Sequence, residues 1–372
     1  MSVSRSPHQL RLPLPPATRR SHHRSPWTER RYSKTRVDKA GQALVAGSST
    51  EEDLDAINNW RSSHSFPLNT FQMSLRRKAL TVDPRSLMAQ RLKRLSSIKK
   101  KLSASTMKLS QMQDIGGCRA VVRNVAQVEA LRGLFFESDH SHTLVRPTDY
   151  IQNPRATGYR GVHLIYRYQS ARRGEAYNGL LIEIQLRSQL QHAWATAVET
   201  VDVFTSQALK NNVGDERWLR FFALMGSAMA RRERAPPVPG TPESGRELAD
   251  ELKHLTHDLD VENVLTSYHV VLEMADRVPP SEGLEFFLLE LRPHAGRTVV
   301  TPYTRAELDR ATAAYSDAER AAGAEPGAQA VLVAVESLTA LKRAYPNYFL
   351  DTRRFLYAVR FATEGRRRGR AV

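Results

Sequence analysis

The chain has 372 residues, with 55 Lys+Arg against 39 Asp+Glu and a formal net charge of +16. At 41% hydrophobic and 25% charged it can bury sizeable cores, which excludes disorder throughout, and its length suits two ordinary domains or one large one with appendages. A single cysteine, Cys118, excludes an internal disulfide framework and any multi-cysteine metal site, and no run of about 18 apolar residues offers a membrane span.

The charge is concentrated in two places. Residues 1–39 hold ten basic side chains against Glu29 and Asp38, and residues 76–108 hold eleven against Asp83 alone, so the remainder sums to −2. Residues 1–45 are rich in Arg, Ser, Pro and His without an apolar period, which predicts a disordered basic tail over 1–48. That tail reads either as an RNA-attracting arm or as the product of an early start codon. No apolar core follows its charges, as a secretory signal needs, and the sparse cysteine usage fits a reducing, cytoplasmic setting.

Order is expected from Ser49. Ser49 or Thr50 can cap a helix that carries Leu54, Ile57 and Trp60 on one face. Beyond the punctuation at Ser62–Pro67, Phe71, Leu75 and Leu80 predict further helix. Residues 84–103 read as one basic helix with a stripe of Leu87, Leu92, Leu95, Ile98 and Leu102. The period then changes. Gly117–Val122 reads as a buried strand, Gln127–Phe136 as a helix, and Val162–Tyr168 and Leu180–Leu186 as alternating strands. Residues 188–211 and 215–234 return to helix, giving a mixed α/β domain over 49–234. The Pro-rich stretch 235–245 reads as a linker, and Leu248–Ala275 as helix, so that 235–283 connects to a second unit. Over 284–372 the pattern is ββαβα: strands near 285–291 and 298–301, a helix opened by the capping box Thr304-x-x-Glu307, a strand at Ala330–Val335, and a helix capped by Ser337. A basic tail at Arg366–Arg370 ends it.

Three segments carry chemistry. Glu183, Gln185 and Arg187 alternate along a strand and share one face; they read either as an ion pair lining a cleft or as part of an active site with a metal-binding carboxylate. Asp114, just before a buried strand and Gly116-Gly117, supports the second reading, because two carboxylates from neighbouring strands can share Mg²⁺ together with substrate phosphates. Arg91, Lys93 and Ser96, with Lys99, Lys100 and Lys101, form a charge run that is either a solvated face or a triphosphate pocket; Arg91, Lys93 and Lys101 fan around the flanks of the leucine stripe. The loop from Asp149-Tyr150-Ile151 to Gly158-Tyr159-Arg160-Gly161-x-His163 sets tyrosines, arginines and a histidine on a glycine- and proline-fixed frame. Tyr159 there either packs the loop or stacks a nucleobase.

Together Asp114-Ile-Gly-Gly-Cys-Arg119, Asp149-Tyr-Ile with Gly158-Tyr-Arg-Gly-Val-His163, and Glu183-Ile-Gln-Leu-Arg187 resemble the synthetase domain of the RelA/SpoT family, and His192-Ala-Trp194 lies where that family has a similar helix. The resemblance implies a nucleotidyltransferase-like mixed α/β fold and an ATP-dependent pyrophosphokinase that moves pyrophosphate to a ribose 3′-hydroxyl. It further implies that Asp114 and Glu183 hold Mg²⁺, with Glu183 also accepting the hydroxyl proton. Arg91, Lys93, Ser96, Lys99 and Arg119 would bind ATP; Tyr159, with Tyr150, Arg155 and Thr157 around it, would hold the acceptor; His163, Gln185 and Arg187 would complete the site.

Two positions depart from the family pattern. Its Pro-Lys-x-Asn-Gly-Tyr loop is here Pro154-Arg-Ala-Thr157-Gly-Tyr159, and the missing Asn helps recognise guanine in alarmone synthetases; Thr148 replaces a frequent Lys. No convincing hydrolase metal pattern precedes the domain, and His257-Asp258 stands alone. The 284–372 unit resembles the regulatory domain of fused toxin–antitoxin members, where Tyr345-Pro-Asn-Tyr348 matches a paired-tyrosine motif thought to occupy the nucleotide pocket; both tyrosines packing a small core is the plain alternative. The expectation is a cytoplasmic enzyme acting on the CCA end of tRNA, held off by its C-terminal domain and released by a phage component. A (p)ppGpp synthetase using GDP or GTP is the second reading, and an inactive RNA-binding or interaction module the third.

Overall fold

The computed structural model describes residues 27–138, 141–171, 176–205, 215–268, 283–292, 297–323, 329–334 and 348–364. Among these, no helix is long and apolar enough to cross a membrane. The first body opens with three helices, α1 (Lys34–Ala46), α2 (Glu51–Ser63) and α3 (Ser65–Val82). A five-stranded sheet follows, formed by β1 (Leu87–Leu92), β2 (Gly116–Val122), β3 (Thr143–Asp149), β4 (Val162–Arg167) and β5 (Leu181–Ser188) in the order β1-β2-β5-β4-β3. β2 and β5 run parallel and every other pairing is antiparallel, so the fold is mixed α/β. α4 (Leu95–Ser103) joins β1 to β2, and α5 (Val125–Phe136) follows β2.

One face of this sheet is apolar and closed. Cys118, Ala120, Val122, Leu164, Tyr166, Ile182, Ile184 and Leu186 are buried there against Phe71 and Leu75 of α3 and Leu131 and Phe135 of α5. The alternation along β5 therefore leaves Glu183, Gln185 and Arg187 on the opposite face, as the sequence period predicts.

Local signals place several helix ends. Thr50 and Asp53 form a reciprocal capping box at α2, and Asn124 caps α5 through the Gln127 amide. Ile57 and Trp60 are buried as expected from α2's period, whereas Leu80 of α3 is exposed and Ala79 takes the core position.

Several elements differ from the sequence expectation, among them β3, which was not expected. The stretch 34–46 is a helix, not a tail. Its buried face is Val37, Ala40, Gly41 and Leu44, spaced i, i+3, i+4, i+7, but Ala40 and Gly41 are small and the stretch is otherwise basic and polar. Ser33 caps it, Gly47 (φ 73°) ends it in the left-handed conformation, and the Asp38 carboxylate accepts from the Ser110 amide at 2.7 Å. Gly41 is small by necessity, since a Cβ there would meet Leu109 Cβ at 2.9 Å. Nor are residues 84–103 one helix. Leu87–Leu92 pairs with β2 from Leu87↔Val121 to Leu92↔Gly116, and the helix begins only at Leu95. Asp83 fixes the turn before β1 by accepting from the Arg85 and Arg123 amides.

The second core lies behind β5. α6 (Gln189–Thr205), α7 (Glu216–Arg232) and α8 (Gly245–Asp258) bury Trp194, Phe221, Phe222, Leu248 and Leu252 together. The chain breaks at Asp260 (φ 47°) and is helical again over 261–268, so the single helix expected from Leu248 is interrupted. Residues 235–244 form no regular element, yet Val238 is buried and its amide donates to Ser227 Oγ at 2.8 Å.

The C-terminal elements are β6 (Leu284–Arg292), β7 (Arg297–Thr304), α9 (Leu308–Gly323), β8 (Gln329–Ala334) and α10 (Tyr348–Glu364), with strands ordered β7-β6-β8, all antiparallel. The Thr304–Glu307 capping box is present. The helix expected after Ser337 falls outside the described residues. Phe287 and Leu289 of β6 and Phe355, Ala358 and Val359 of α10 belong to the same core as α6 and α7.

Leu44 is 8% exposed in the core shared by α1, α2 and α4. Leu44→Ala should cost about 2 kcal/mol or more, read as a lower thermal or urea midpoint. An unchanged midpoint would return this segment to the status of a tail.

Candidate active site

Cross-strand neighbours project to the same side of a sheet, so the register shows what the open face holds. Glu183 is level with Gly117 on β2, and Gln185 with Arg119 on β2 and His163 on β4; Arg91 on β1 is level with Gly117. Arg91, Arg119, His163, Glu183, Gln185 and Arg187 therefore share one face. Gly117 adds no side chain between Arg91 and Glu183, where a Cβ would stand 3.9 Å from Glu183 Oε2.

Around Glu183 the hydrogen bonds close into a ring. Glu183 Oε1 meets His163 Nδ1 at 2.9 Å, and Oε2 accepts from Gln185 Nε2 at 2.7 Å. Arg187 Nη2 donates to Gln185 Oε1 and to the Tyr159 hydroxyl, each at 3.0 Å, and that hydroxyl lies 2.5 Å from His163 Nε2. Glu183, His163, Gln185 and the Tyr159 hydroxyl thus each have a partner of opposite character, which is the condition for burying them.

The electrostatics follow from the ring. Burial opposes ionisation of Glu183, but His163 and Gln185 outweigh it and hold the carboxyl below its ordinary range. Burial likewise opposes the imidazolium, yet the Tyr159 hydroxyl and the Glu183 carboxylate on its two nitrogens raise His163 to about 9. Burial would raise the Tyr159 phenol, and Arg187 with His163 pulls it down instead.

Asp114 is held separately, one residue before β2's approach to the sheet. Its Oδ2 accepts from Lys93 Nζ at 2.8 Å and its Oδ1 from Lys101 Nζ at 2.9 Å. Burial would raise its pKa, but these two ammonium groups lower it, and its charge is felt at Glu183. Lys93 is placed by its own backbone, whose amide donates to the Ile115 carbonyl at 2.7 Å and extends the β1–β2 ladder.

The aromatic loop completes the face. Asp149 pins its start, accepting from the Ile151 and Gln152 amides and from Arg132 Nη1 at 2.6 Å. Tyr150 packs edge-on to Tyr159 and His163, and the Arg155 guanidinium lies 4.5 Å from the Tyr150 ring centroid. Gly158 (φ 94°) and Gly161 (φ 148°) take conformations that side chains rarely adopt. Thr157 Oγ1 accepts from the Tyr159 amide at 3.4 Å.

Residues 90–202 match the family model described as "Region found in RelA / SpoT proteins". This part of the chain is a RelA/SpoT-type region. It is 31% identical over 117 residues to the GTP pyrophosphokinase YjbM of Bacillus subtilis (strain 168), a match covering 30% of this chain and 54% of that protein; the chain thus spans about half the length of this curated relative. Among solved structures it resembles small alarmone synthetase 1 from Bacillus subtilis bound to its product pppGpp (21% identity, TM-score 0.42, covering 48% of this chain and 94% of that one). It also resembles a GTP pyrophosphokinase family protein from Streptococcus pneumoniae (21% identity, TM-score 0.40, covering 49% and 91%).

Within residues 90–202 the structure brings Asp114, Lys93, His163, Glu183, Gln185, Arg187, Tyr159 and Tyr150 into contacting groups, with Arg91 and Arg119 on the same face. Ser96 and Lys99 are exposed on α4, and Lys101, counted in the sequence only with the basic flank, is the lysine that reaches Asp114. The +10 block is therefore divided: Lys78, for example, donates to the Leu134 carbonyl at 2.8 Å, away from the site. Trp194 was noted as part of a helix motif; the structure sets it 6.3 Å from the Tyr159 ring, donating Nε1–H to the Phe222 carbonyl at 2.9 Å. The side chains of Tyr345 and Tyr348 lie outside the described residues.

The ring makes a direct prediction about the protein without added metal. A folded-state pKa raised from 6.5 means that the His163 contribution to stability is complete below about 6.5 and fades as pH rises through about 9. Imidazole NMR should report His163 titrating near 9, and Glu183→Gln should lower that value by more than about one unit. A His163 that titrates near 6.5 in the wild-type protein would contradict the ring.

Proposed function

We propose that this chain transfers the pyrophosphoryl group of ATP to a ribose 3′-hydroxyl. The observation that carries the reading is the pair Asp114, just before β2, and Glu183, on the parallel neighbour β5, each held ionised by its own partners. Mg²⁺ fits this donor set. The ion takes one or two carboxylates and fills its remaining positions with water and substrate phosphate oxygens, so two carboxylates without a third protein ligand suit it better than they suit a metal needing an all-protein cage. No group of three or more His, Cys, Asp or Glu able to hold a metal occurs among the described residues. When bound, the ion would neutralise phosphate charge.

The chain's own residues supply the rest. Lys93 and Lys101 beside Asp114, with Arg91 and Arg119 on the sheet face, offer positive charge to the triphosphate. Tyr159 and Tyr150 offer ring faces to the acceptor base, and Arg187 and His163 fix the Tyr159 hydroxyl. The 3′-oxygen attacks the β-phosphorus, the bond to the α–β bridging oxygen breaks, AMP departs, and the hydroxyl proton passes to Glu183. A depressed carboxyl is a weak base, so most of the rate comes from positioning and charge neutralisation, as phosphoryl-type transfer requires. Glu183→Gln keeps the Gln185 and His163 neighbours but loses the charge, and should lower transfer about 100- to 10,000-fold with the fold retained. Full activity in that variant would sink the role.

Two acceptor readings have support. The Thr157 hydroxyl is turned to its own loop backbone and brings no amide to a guanine edge, which favours the CCA end of tRNA, and modification there would block aminoacylation. The similarity to proteins named as GTP pyrophosphokinases favours GDP or GTP. Incubation with γ-labelled ATP and each acceptor in turn decides between them. Label confined to guanosine nucleotides excludes tRNA.

Autoinhibition by the C-terminal unit is supported by the core that β6 and α10 share with α6 and α7, behind Trp194 and Tyr159. A phage protein binding residues 284–372 would be the releasing partner. Tyr345→Ala with Tyr348→Ala should raise transfer by the purified chain several-fold; unchanged transfer removes the tyrosines from the account.

A further inference from the structure

We propose that Gly226, in the middle of α7 and outside the matched family region, is a positioning residue for the acceptor loop 154–161. This rests on reading Tyr159 as the acceptor-stacking residue. A glycine inside a helix costs about 1 kcal/mol relative to alanine, so its presence needs a reason. Here the reason is a contact of backbone on backbone. A Cβ on Gly226 would lie 2.8 Å from Gly158 Cα and 2.9 Å from the Gly158 carbonyl oxygen. From the other side, a Cβ on Gly158 would lie 2.5 Å from the Phe222 carbonyl oxygen and 2.9 Å from Trp194 Cζ2. Phe222 and Gly226 are one helical turn apart, so the loop sits in a notch on α7 that the two glycines open together.

The notch is rigid on the helix side. Trp218 stacks on Phe222 with centroids 5.7 Å apart, and Phe355 of α10 lies 5.9 Å from Phe222 and 6.2 Å from Phe221. The Trp194 indole is tied to the Phe222 carbonyl. A cavity of about 10 Å³ beside Gly158 and Gly226 holds at most one water, too little for a methyl group to be absorbed. Any side chain at 226 therefore moves the loop and not the helix.

Movement of the loop has a specific consequence. Tyr159 follows Gly158 directly, and its hydroxyl is fixed by Arg187 and His163. The notch thus sets one end of this residue and the ring sets the other. Arg91, Lys93, Lys101 and Asp114 lie on β1, just after it, on α4 and before β2, and none of them is among the atoms that a Cβ at 226 would meet first. The effect should fall on the acceptor and leave ATP alone.

The test uses the full-length chain with Gly226→Ala and Gly226→Val, alongside Tyr159→Ala. Alanine improves helix propensity, so the first variant is not expected to unfold, and hydrogen exchange in β2 and β5 checks this directly. In both variants amide exchange within 154–161 should quicken, more for Val than for Ala. The KM for the acceptor, measured with GTP and with deacylated tRNA, should rise about tenfold or more while the KM for ATP stays unchanged. Loop exchange equal to wild type overturns the proposal, whatever acceptor the enzyme uses. Quickened exchange with an unchanged acceptor KM overturns the positioning role, provided that Tyr159→Ala raises that KM. If Tyr159→Ala leaves it unchanged as well, the reading of Tyr159 has failed and the notch is only structural.

Discussion

An ionised carboxylate set into the face of a sheet must be surrounded before it can be tolerated, and Glu183 is surrounded on every side. Burial alone would drive its proton back on. His163 on one oxygen and Gln185 on the other keep the charge, and both residues then need partners of their own. Arg187 and Tyr159 supply them and close the circuit. From that single requirement the alternation of β5, the histidine on β4 and the tyrosine of the glycine loop follow as one unit. The ring also explains why Arg187 can be 6% exposed on a strand flanked by apolar neighbours.

The second carboxylate solves the same problem differently. Asp114 stands before β2 and is neutralised by two lysines, one from the end of β1 and one from α4. Those lysines bring compact ammonium charges where Glu183 has an imidazole and an amide, and positive charge of this kind also suits a polyanion. The site therefore pairs a hydrogen-bonded half around Glu183, to which the proposed function gives the acceptor, with a cationic half around Asp114, to which it gives the triphosphate. α7 ties the Glu183 half to the C-terminal unit, because the helix that meets the 154–161 loop at Gly226 is also the helix against which Phe355 packs.

What could be read from the sequence was local. The β5 alternation, the Asp114-Ile-Gly-Gly approach, and the capping boxes at Thr50 and Thr304 each depend on residues a few positions apart. β1 was hidden because Leu87, Leu92, Leu95, Ile98 and Leu102 run together as one apolar stripe, and only the pairing with β2, far along the chain, makes the first part a strand. α1 was hidden because two of its four core positions, Ala40 and Gly41, are small and the stretch is otherwise basic and polar, so composition outweighed a period that was present. Lys101 could not be chosen over Lys99 while the start of α4 was misplaced, since the helix phase decides which lysine faces Asp114. Gly226 was visible only as a glycine in a helical stretch; its reason is a loop brought beside it by the tertiary fold.

The proposed transfer breaks the bond between the β-phosphorus of ATP and the α–β bridging oxygen. Wild-type chain supplied with ATP, Mg²⁺ and the acceptor that it labels should form AMP and pyrophosphorylated acceptor one for one, followed by phosphorus NMR or mass spectrometry. Formation of ADP, or of AMP with free pyrophosphate and an unmodified acceptor, would contradict the account.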